Sequence, residues 1–306
     1  VTERPRLVIL DPLLPDIELE RSVAASGGWE VERWDGDPAS LAGVPAVVHV
    51  RTVVDRTLME RASGLLVVGR YGTGLDTVDQ AAAADLGIRV VGIRDYCIPE
   101  LTSHTLGLAF ALDRRISAAA AGRLGPDAEW QEVSAAQPIA GRPTATVVGF
   151  GTIGRAVTRA LLACGFEVRV VTRHGAADAQ AAGAMAVPLD AGLADAGFVF
   201  LHTSLSAETA GLIDAARIKR MASGTVVVDT ARLRLIDEAA VAHALASGHL
   251  GGVGLDARLP VASPLRALLG DPRMLVTPHI GWYSERSARE LRQRTIEETI
   301  AAAEAA

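Results

Sequence analysis

The chain has 306 residues, 49% of them hydrophobic, and a formal net charge of −6. That length suits two domains of ordinary size around a large apolar core, and the charge argues against nucleic-acid binding by the surface as a whole. No apolar run reaches membrane-spanning length and the first residues lack a signal-peptide pattern, so a cytoplasmic protein with no membrane partner is expected.

The first apolar strand is predicted at Arg6–Leu10 and the second at Ala46–Val50, followed by a helical stretch over Arg56–Ser63. Leu65–Val68 reads as a third strand, Asp79–Asp85 as helix and Arg89–Val91 as strand. A long apolar helix follows from about Leu101 to Leu112. Ala145–Val148 and Glu167–Val171 read as strands separated by a helix over Arg155–Cys164. Further strands are predicted at Phe198–Leu201, Thr225–Val228 and Leu275–Val276, with helices over Asp237–Ser247 and Glu285–Ala303. The Ala-rich tracts Ala81–Ala84 and Ala118–Ala121 suit ordinary helix. The alternation of strand and helix runs through the chain twice. It predicts an α/β protein of two doubly wound domains, Rossmann-like and flavodoxin-like. The two cysteines, Cys97 and Cys164, read as small buried hydrophobes in a reducing compartment. No zinc-type Cys/His spacing is present, and no metal site is expected.

Between the strand ending at Val148 and the helix that follows lies Gly149-Phe150-Gly151-Thr152-Ile153-Gly154. A lone GxGxxG is weak evidence, but strand, glycine turn and helix in this order form a dinucleotide-binding pattern. Gly149 permits the tight turn, Gly151 lets the backbone approach a pyrophosphate, and Gly154 lets helix and strand pack closely. The helix N-terminus, with Thr152 and Ile153, offers N–H groups and positive potential to the phosphates. An acidic residue about twenty positions on would hold a ribose 2′-OH. Thr172, Arg173 and His174 stand there instead, and a hydroxyl with an Arg suits a 2′-phosphate. NADP(H) is therefore expected to be preferred over NAD(H). The glycine motif lies mid-chain. Residues 1–98 and 282–306 are expected to form one discontinuous substrate domain around an inserted nucleotide domain, 99–281, with the active site in the cleft between them.

Five motifs in order now resemble one family. They are Gly69–Asp76, the glycine motif, Asp229-Thr230-Ala231-Arg232, Gly254-Leu255-Asp256 and Thr277–Trp282. The chain is similar over nearly its whole length to the D-2-hydroxyacid dehydrogenases, which include phosphoglycerate dehydrogenase, glyoxylate/hydroxypyruvate reductase and the C-terminal-binding proteins. Trp282–Glu285 resembles the last branch in particular. The resemblance implies hydride transfer between a nicotinamide and a 2-keto or (D)-2-hydroxy acid. His279 matches the general acid of that reaction, and its type titrates near neutrality. Arg232 matches the arginine that clamps the substrate carboxylate and polarises the ketone. The backbone N–H groups of Thr73 and Gly74 match a carboxylate-binding nest. Thr105, at the start of the long apolar helix, resembles a phosphate contact, with a helix cap as the other reading. Asp256 resembles the residue facing the nicotinamide carboxamide, or it caps a strand end. Thr203, Ala231 and Gly281 complete the cofactor-binding set. The segment Gly122–Pro143, with Trp130 and Ala135–Pro138, corresponds to a dimer-forming region, and a C2 homodimer is expected.

Departures from the pattern are as informative. The family places a Glu five residues after the aspartate that Asp256 matches; here that position is Val261, and no further acid precedes Asp271. An imidazolium would lose a favourable partner. The reductase rate is then expected to fall as pH rises through about 6.5 or below, unless another carboxylate replaces the Glu. Leu233 stands where a glycine is usual, and Ser204 where a proline is common. A branched Leu233 resists positive φ and could redirect Arg232. Arg51, Arg70, Arg234 and Arg258 add positive charge near the expected cleft, which suits a substrate with a second anionic group such as phosphate or phosphonate. Two function classes stay open. One is an NAD(P)H-dependent 2-keto acid reductase. The other is a catalytically weak nucleotide-sensing protein of the C-terminal-binding protein type.

Overall fold

A computed structural model describes residues 4–122 and 144–306. The chain divides into two compact units, Val1–Tyr96 with Ser284–Ala306, and Cys97–Tyr283. The residues expected to form a dimer arm from 123 to 143 lie outside the described residues.

The first unit carries five parallel strands among the described residues. They are β1 (Arg6–Ile9), β2 (Glu30–Arg33), β3 (Ala46–His49), β4 (Val67–Arg70) and β5 (Arg89–Gly92), in the order β2-β1-β3-β4-β5. Apolar β-branched runs make β1, β3 and β4 central strands buried on both faces. The order reverses between β1 and β3, where ligands of such sheets commonly bind. The Asp11 carboxylate accepts the backbone N–H groups of Val50, Arg51 and Thr52 at 2.7–3.3 Å. The helix Glu285–Glu304 belongs to this unit and begins at a capping box between Ser284 and Ser287. Arg292 on that helix forms a buried pair with Glu20 at 2.6 Å, and Tyr71 Oη donates to the same carboxylate at 3.3 Å. Removing one partner of so buried a pair would strand a charge and cost about 3–5 kcal/mol. Gly69 is required for the same docking. A Cβ there would lie 2.8 Å from Val48 Cγ1 and overlap the Thr299 side chain.

The second unit holds β6 (Thr144–Val148), β7 (Glu167–Val171), β8 (Met185–Ala186), β9 (Phe198–Leu201), β10 (Thr225–Asp229), β11 (Leu250–Asp256) and β12 (Met274–Thr277). All pair in parallel, in the order β12-β11-β10-β9-β6-β7-β8. One face buries Phe198, Phe200 and Val147 beneath the helices Ile98–Asp113 and Thr152–Ala163. The other buries Leu201, Val227 and Leu255 beneath Glu238–Ala246. The strand order reverses between β6 and β9, so the C-terminal ends of these strands mark the expected ligand position. Two α/β units with parallel sheets are thus present, as the alternation predicted.

Four local expectations are corrected. The third strand runs Val67–Arg70 rather than Leu65–Val68, because Leu65 closes the turn after the preceding helix through its N–H to Ala62 O. The long apolar helix begins at Ile98, with Pro99 in its first turn. Thr105 is therefore interior to the helix and cannot cap it. Cys164 is exposed, being the C-cap of Thr152–Ala163, whereas Cys97 is buried as expected. Leu233 needs no left-handed backbone; it opens a 3-10 turn, Leu233–Leu235.

Candidate active site

The glycine turn after β6 is built as the motif requires. Gly149 has φ +101°, and a Cβ on it would lie 2.6 Å from His202 C and 2.7 Å from Thr203 N. Gly154 is buried. A Cβ there would overlap the Gly149 carbonyl oxygen and lie 3.0 Å from its carbon. Gly151 is different: at φ −76° a Cβ would meet nothing within 4 Å among the described residues beyond its chain neighbours. Gly151 is also the N-cap of Thr152–Ala163 and offers no side-chain acceptor to the helix N–H groups. Open space before donor groups at the start of a twelve-residue helix fits a dinucleotide pyrophosphate. Thr152 is exposed and Ile153 half-buried beside the turn.

Beyond β7, Thr172 Oγ1 donates to the His174 carbonyl, and the His174 N–H donates back to it at 3.3 Å. Arg173 projects into solvent, its side chain 82% exposed, with a surface pair to Glu208 at 3.4 Å. Such a pair contributes about 1 kcal/mol or less, so this guanidinium is readily recruited by another anion. Thr203 follows β9 and touches the Gly149 turn through its backbone. Thr105 is fully buried; its hydroxyl donates to Leu101 O at 2.7 Å and meets Thr230 Oγ1 at 2.9 Å.

Asp229 ends β10 and organises the turn that carries Arg232. Its Oδ1 accepts from Ala231 N at 2.8 Å and Arg232 N at 3.1 Å, while the buried Oδ2 has no hydrogen-bond partner among the described residues. Burial pushes the Asp229 carboxyl up to about 7, against the lowering pull of those N–H groups and of Arg232. Arg232 is half-buried, with Nη1 donating to Ala231 O at 2.8 Å. Arg234 and Arg258 are exposed.

Asp256 ends β11 and organises the turn after β12 in the same way. Its Oδ1 accepts from Thr277 Oγ1 at 2.7 Å and Ile280 N at 2.8 Å, and its Oδ2 accepts from Gly281 N at 2.8 Å. Between these donors His279 takes a left-handed backbone, φ +63°. For a residue other than glycine that conformation is uncommon and persists where surroundings enforce it. His279 Nδ1 lies 3.3 Å from Asp256 O and 4.0 Å from Asp256 Oδ2. A proton on Nδ1 therefore has an acceptor, leaving Nε2 as the outward nitrogen. Val261, at the position of the family Glu, is 91% exposed. Ile280 and Gly281 also line a cavity of about 450 Å³ with Glu100, His104, Leu275 and Tyr283.

In the first unit Arg51 is exposed on the loop pinned by Asp11, and Arg70 is half-buried at the end of β4. The Arg70 guanidinium lies across Gly72, where any Cβ would displace it. The Thr73–Gly74 turn is tied down by Thr73 Oγ1 donating to Ile93 O at 2.8 Å.

In the second unit, then, the glycine turn, Thr172–His174, Thr203, Arg232, Asp256 and His279 all lie at or just beyond C-terminal strand ends of one parallel sheet. The family model of the D-isomer specific 2-hydroxyacid dehydrogenase NAD binding domain matches residues 106–281, more than half of the chain. The chain belongs to the D-isomer specific 2-hydroxyacid dehydrogenase family. D-3-phosphoglycerate dehydrogenase of Mycobacterium tuberculosis (strain ATCC 25618 / H37Rv) is 35% identical over 288 residues, 90% of this chain and 53% of that protein. The chain thus spans about half the length of that relative. Glycerate dehydrogenase of Methylorubrum extorquens is 30% identical over 253 residues, covering 78% of this chain and 76% of that protein. The crystal structure of the TT0316 protein from Thermus thermophilus superposes with a TM-score of 0.80 at 30% identity, over 98% of this chain and 97% of that one.

Three groups of this family member are prominent in the structure and faint in the sequence. Asp229 is part of a matched motif, but nothing in its spacing shows that two of the N–H groups following it converge on its carboxylate. Asp256 allows two roles in the sequence, and its three donors are visible only once the strand ends are placed. His104 carries no signal at all, since a lone histidine in an apolar helix looks like core.

Proposed function

We propose that this chain reduces a 2-keto acid to the (D)-2-hydroxy acid, and catalyses the reverse oxidation, with NAD(P)(H). The observation that carries the proposal is the assembly, at one sheet edge, of a phosphate-ready glycine turn, Arg232 and a conformationally enforced His279. When bound, a nicotinamide would supply the hydride needed at the carbonyl carbon of the keto acid. His279 Nε2 gives its proton to the oxygen that becomes the hydroxyl. Arg232 holds the substrate carboxylate and stabilises the charge developing on that oxygen. Thr73 and Gly74 would bind the carboxylate through backbone N–H groups. Thr203, Ala231 and Gly281 would complete the cofactor contacts, whereas Thr105, fully buried with its hydroxyl engaged by Leu101 O and Thr230 Oγ1, is not among them.

The finer readings belong to the same proposal. Arg173 beside Thr172, with no carboxylate at either position, supports a preference for NADP(H). Arg51, Arg70, Arg234 and Arg258 support a substrate with a second anionic group, as does the similarity to proteins named for phosphoglycerate. A cytoplasmic C2 homodimer completes it, and sedimentation tests the dimer. A nucleotide sensor with little turnover is the reading that Val261 favours. The deciding experiment supplies NADPH deuterated at the transferable position with a 2-keto acid. One deuterium at C2 of a D-product supports the reductase, whereas tight nucleotide binding without labelled product supports the sensor.

A further inference from the structure

Asp256 lies between two histidines. On one side is His279. On the other, His104 Nε2 lies 2.8 Å from Thr277 Oγ1 and 3.7 Å from Asp256 Oδ1. The Thr277 hydroxyl has one proton, and its short contact to Asp256 Oδ1 takes it, since Leu255 O is further away at 3.3 Å. His104 Nε2 must then be the donor to Thr277. A hydrogen-bonded chain His104–Thr277–Asp256 results, spanning the helix Ile98–Asp113 and the ends of β11 and β12, and it ends beside His279, whose Nδ1 meets the Asp256 carbonyl oxygen at 3.3 Å and lies 4.0 Å from Oδ2. Gly281 allows it to close: a Cβ there would lie 2.9 Å from both Asp256 Oδ2 and His104 Cδ2.

The acceptor capacity of Asp256 is nearly used. A carboxylate offers about four lone-pair positions. Thr277 and Ile280 take two on Oδ1 and Gly281 takes one on Oδ2, and Oδ2, the less occupied oxygen, lies 4.0 Å from His279 Nδ1. With Val261 in place of the family Glu, the carboxylate beside that ring nitrogen among the described residues is this one. We propose that Asp256 is the carboxylate partner of His279 in this chain, and that His104 is a positioning residue that shares that carboxylate through Thr277. The proposal rests on the reductase reading for its kinetic consequence, but not for its geometry. Protonating His104 places a cation 3.7 Å from Asp256 Oδ1 and competes with His279 for the same charge. The other titratable groups around the chain are Glu100 and Tyr283, which line the cavity beside His104, and Asp229, which feels Asp256, with Arg232 acting on Asp229.

The test is a titration of the full chain labelled with 13C at histidine Cε1, the His279 signal being identified by its loss in His279→Gln. Asp256→Asn removes the negative charge and should move the His279 midpoint to lower pH. His104→Gln keeps a donor to Thr277 but cannot be charged, and should move the midpoint to higher pH. Opposite displacements from two substitutions are not what a merely structural role produces. If reductase activity is found, its pH profile should move in the same two directions, with dinucleotide affinity unchanged in His104→Gln. An unmoved midpoint in His104→Gln overturns the role of His104, and an unmoved midpoint in Asp256→Asn overturns the pairing. Should Asp256→Asn fail to fold, His104→Gln alone decides, because it leaves Asp256 in place. The ring signal reports without turnover, so failure of the reductase reading is read separately.

Discussion

The three motif glycines do different work, and alanine substitutions should separate them. At Gly154 a methyl overlaps the Gly149 carbonyl oxygen and sits 3.0 Å from its carbon, so backbone must shift. Overpacking of this kind costs about 3 kcal/mol. In a unit of this size that lowers Tm by about 6–12 °C. At Gly151 a methyl meets nothing within 4 Å among the described residues beyond its chain neighbours, and φ −76° is open to any residue. Alanine is a poorer N-cap than glycine but restricts the unfolded chain, and these offset to within about 1 kcal/mol. The Gly151 methyl would instead occupy the space into which a pyrophosphate must come. Affinity should fall at least tenfold, about 1.4 kcal/mol. Urea or thermal unfolding of the full chain, with fluorescence titration by NADPH and NADH, measures both quantities. Dinucleotide binding by Gly151→Ala equal to the parent's, or a Gly154→Ala as stable as the parent, would exclude these separate roles.

Arg173→Ala should weaken NADPH binding about tenfold, the loss of one charge-assisted hydrogen bond, and leave NADH binding nearly unchanged; calorimetric titration compares the two. Burial raises the Asp229 carboxyl to about 7, so its stabilising contribution is complete below the unfolded value of 3.8 and is lost as pH rises through 7, on the order of 4 kcal/mol in all. Asp229→Asn should lack that slope in urea midpoints measured between pH 5 and pH 8. His49, fully buried with both ring nitrogens short of a well-formed hydrogen bond among the described residues, is lowered to about 4 by burial and by the Arg70 charge. Its contribution is present above the unfolded value of 6.5 and is lost as pH falls through 4, about 3 kcal/mol, so His49→Leu should flatten the acid limb of the stability curve.

Legible in the sequence is whatever depends on local pattern. The apolar runs of β6, β9 and β10 and the glycine turn between β6 and its helix announce a buried parallel sheet without reference to anything distant. The edge strand β2 gives no such signal, because its sequence, Glu30-Val31-Glu32-Arg33, buries one side chain and reads as surface. The displacement of the third strand from Leu65–Val68 arises because Leu65 is apolar but is spent closing a turn, a use that periodicity does not distinguish from strand. Cys164 is apolar by type yet exposed by its place at a helix end. The candidate site divides along the same line. Arg232 and His279 stand in recognisable motifs, whereas the φ of His279 and the donors converging on Asp229 and Asp256 depend on which strand ends lie side by side. Asp11 shows the same limit in the first unit, since its three N–H partners lie about forty residues away.

NADPH and NADH oxidation by the purified chain shows whether it is a 2-keto acid reductase. The panel comprises pyruvate, glyoxylate, hydroxypyruvate, an aromatic 2-keto acid, and keto acids bearing phosphate or phosphonate, followed across pH. Rapid oxidation with one keto acid, lost in both Arg232→Ala and His279→Ala while dinucleotide binding persists, is the predicted result. Oxidation that survives both substitutions, or nucleotide binding with no turnover of any keto acid, would contradict the account.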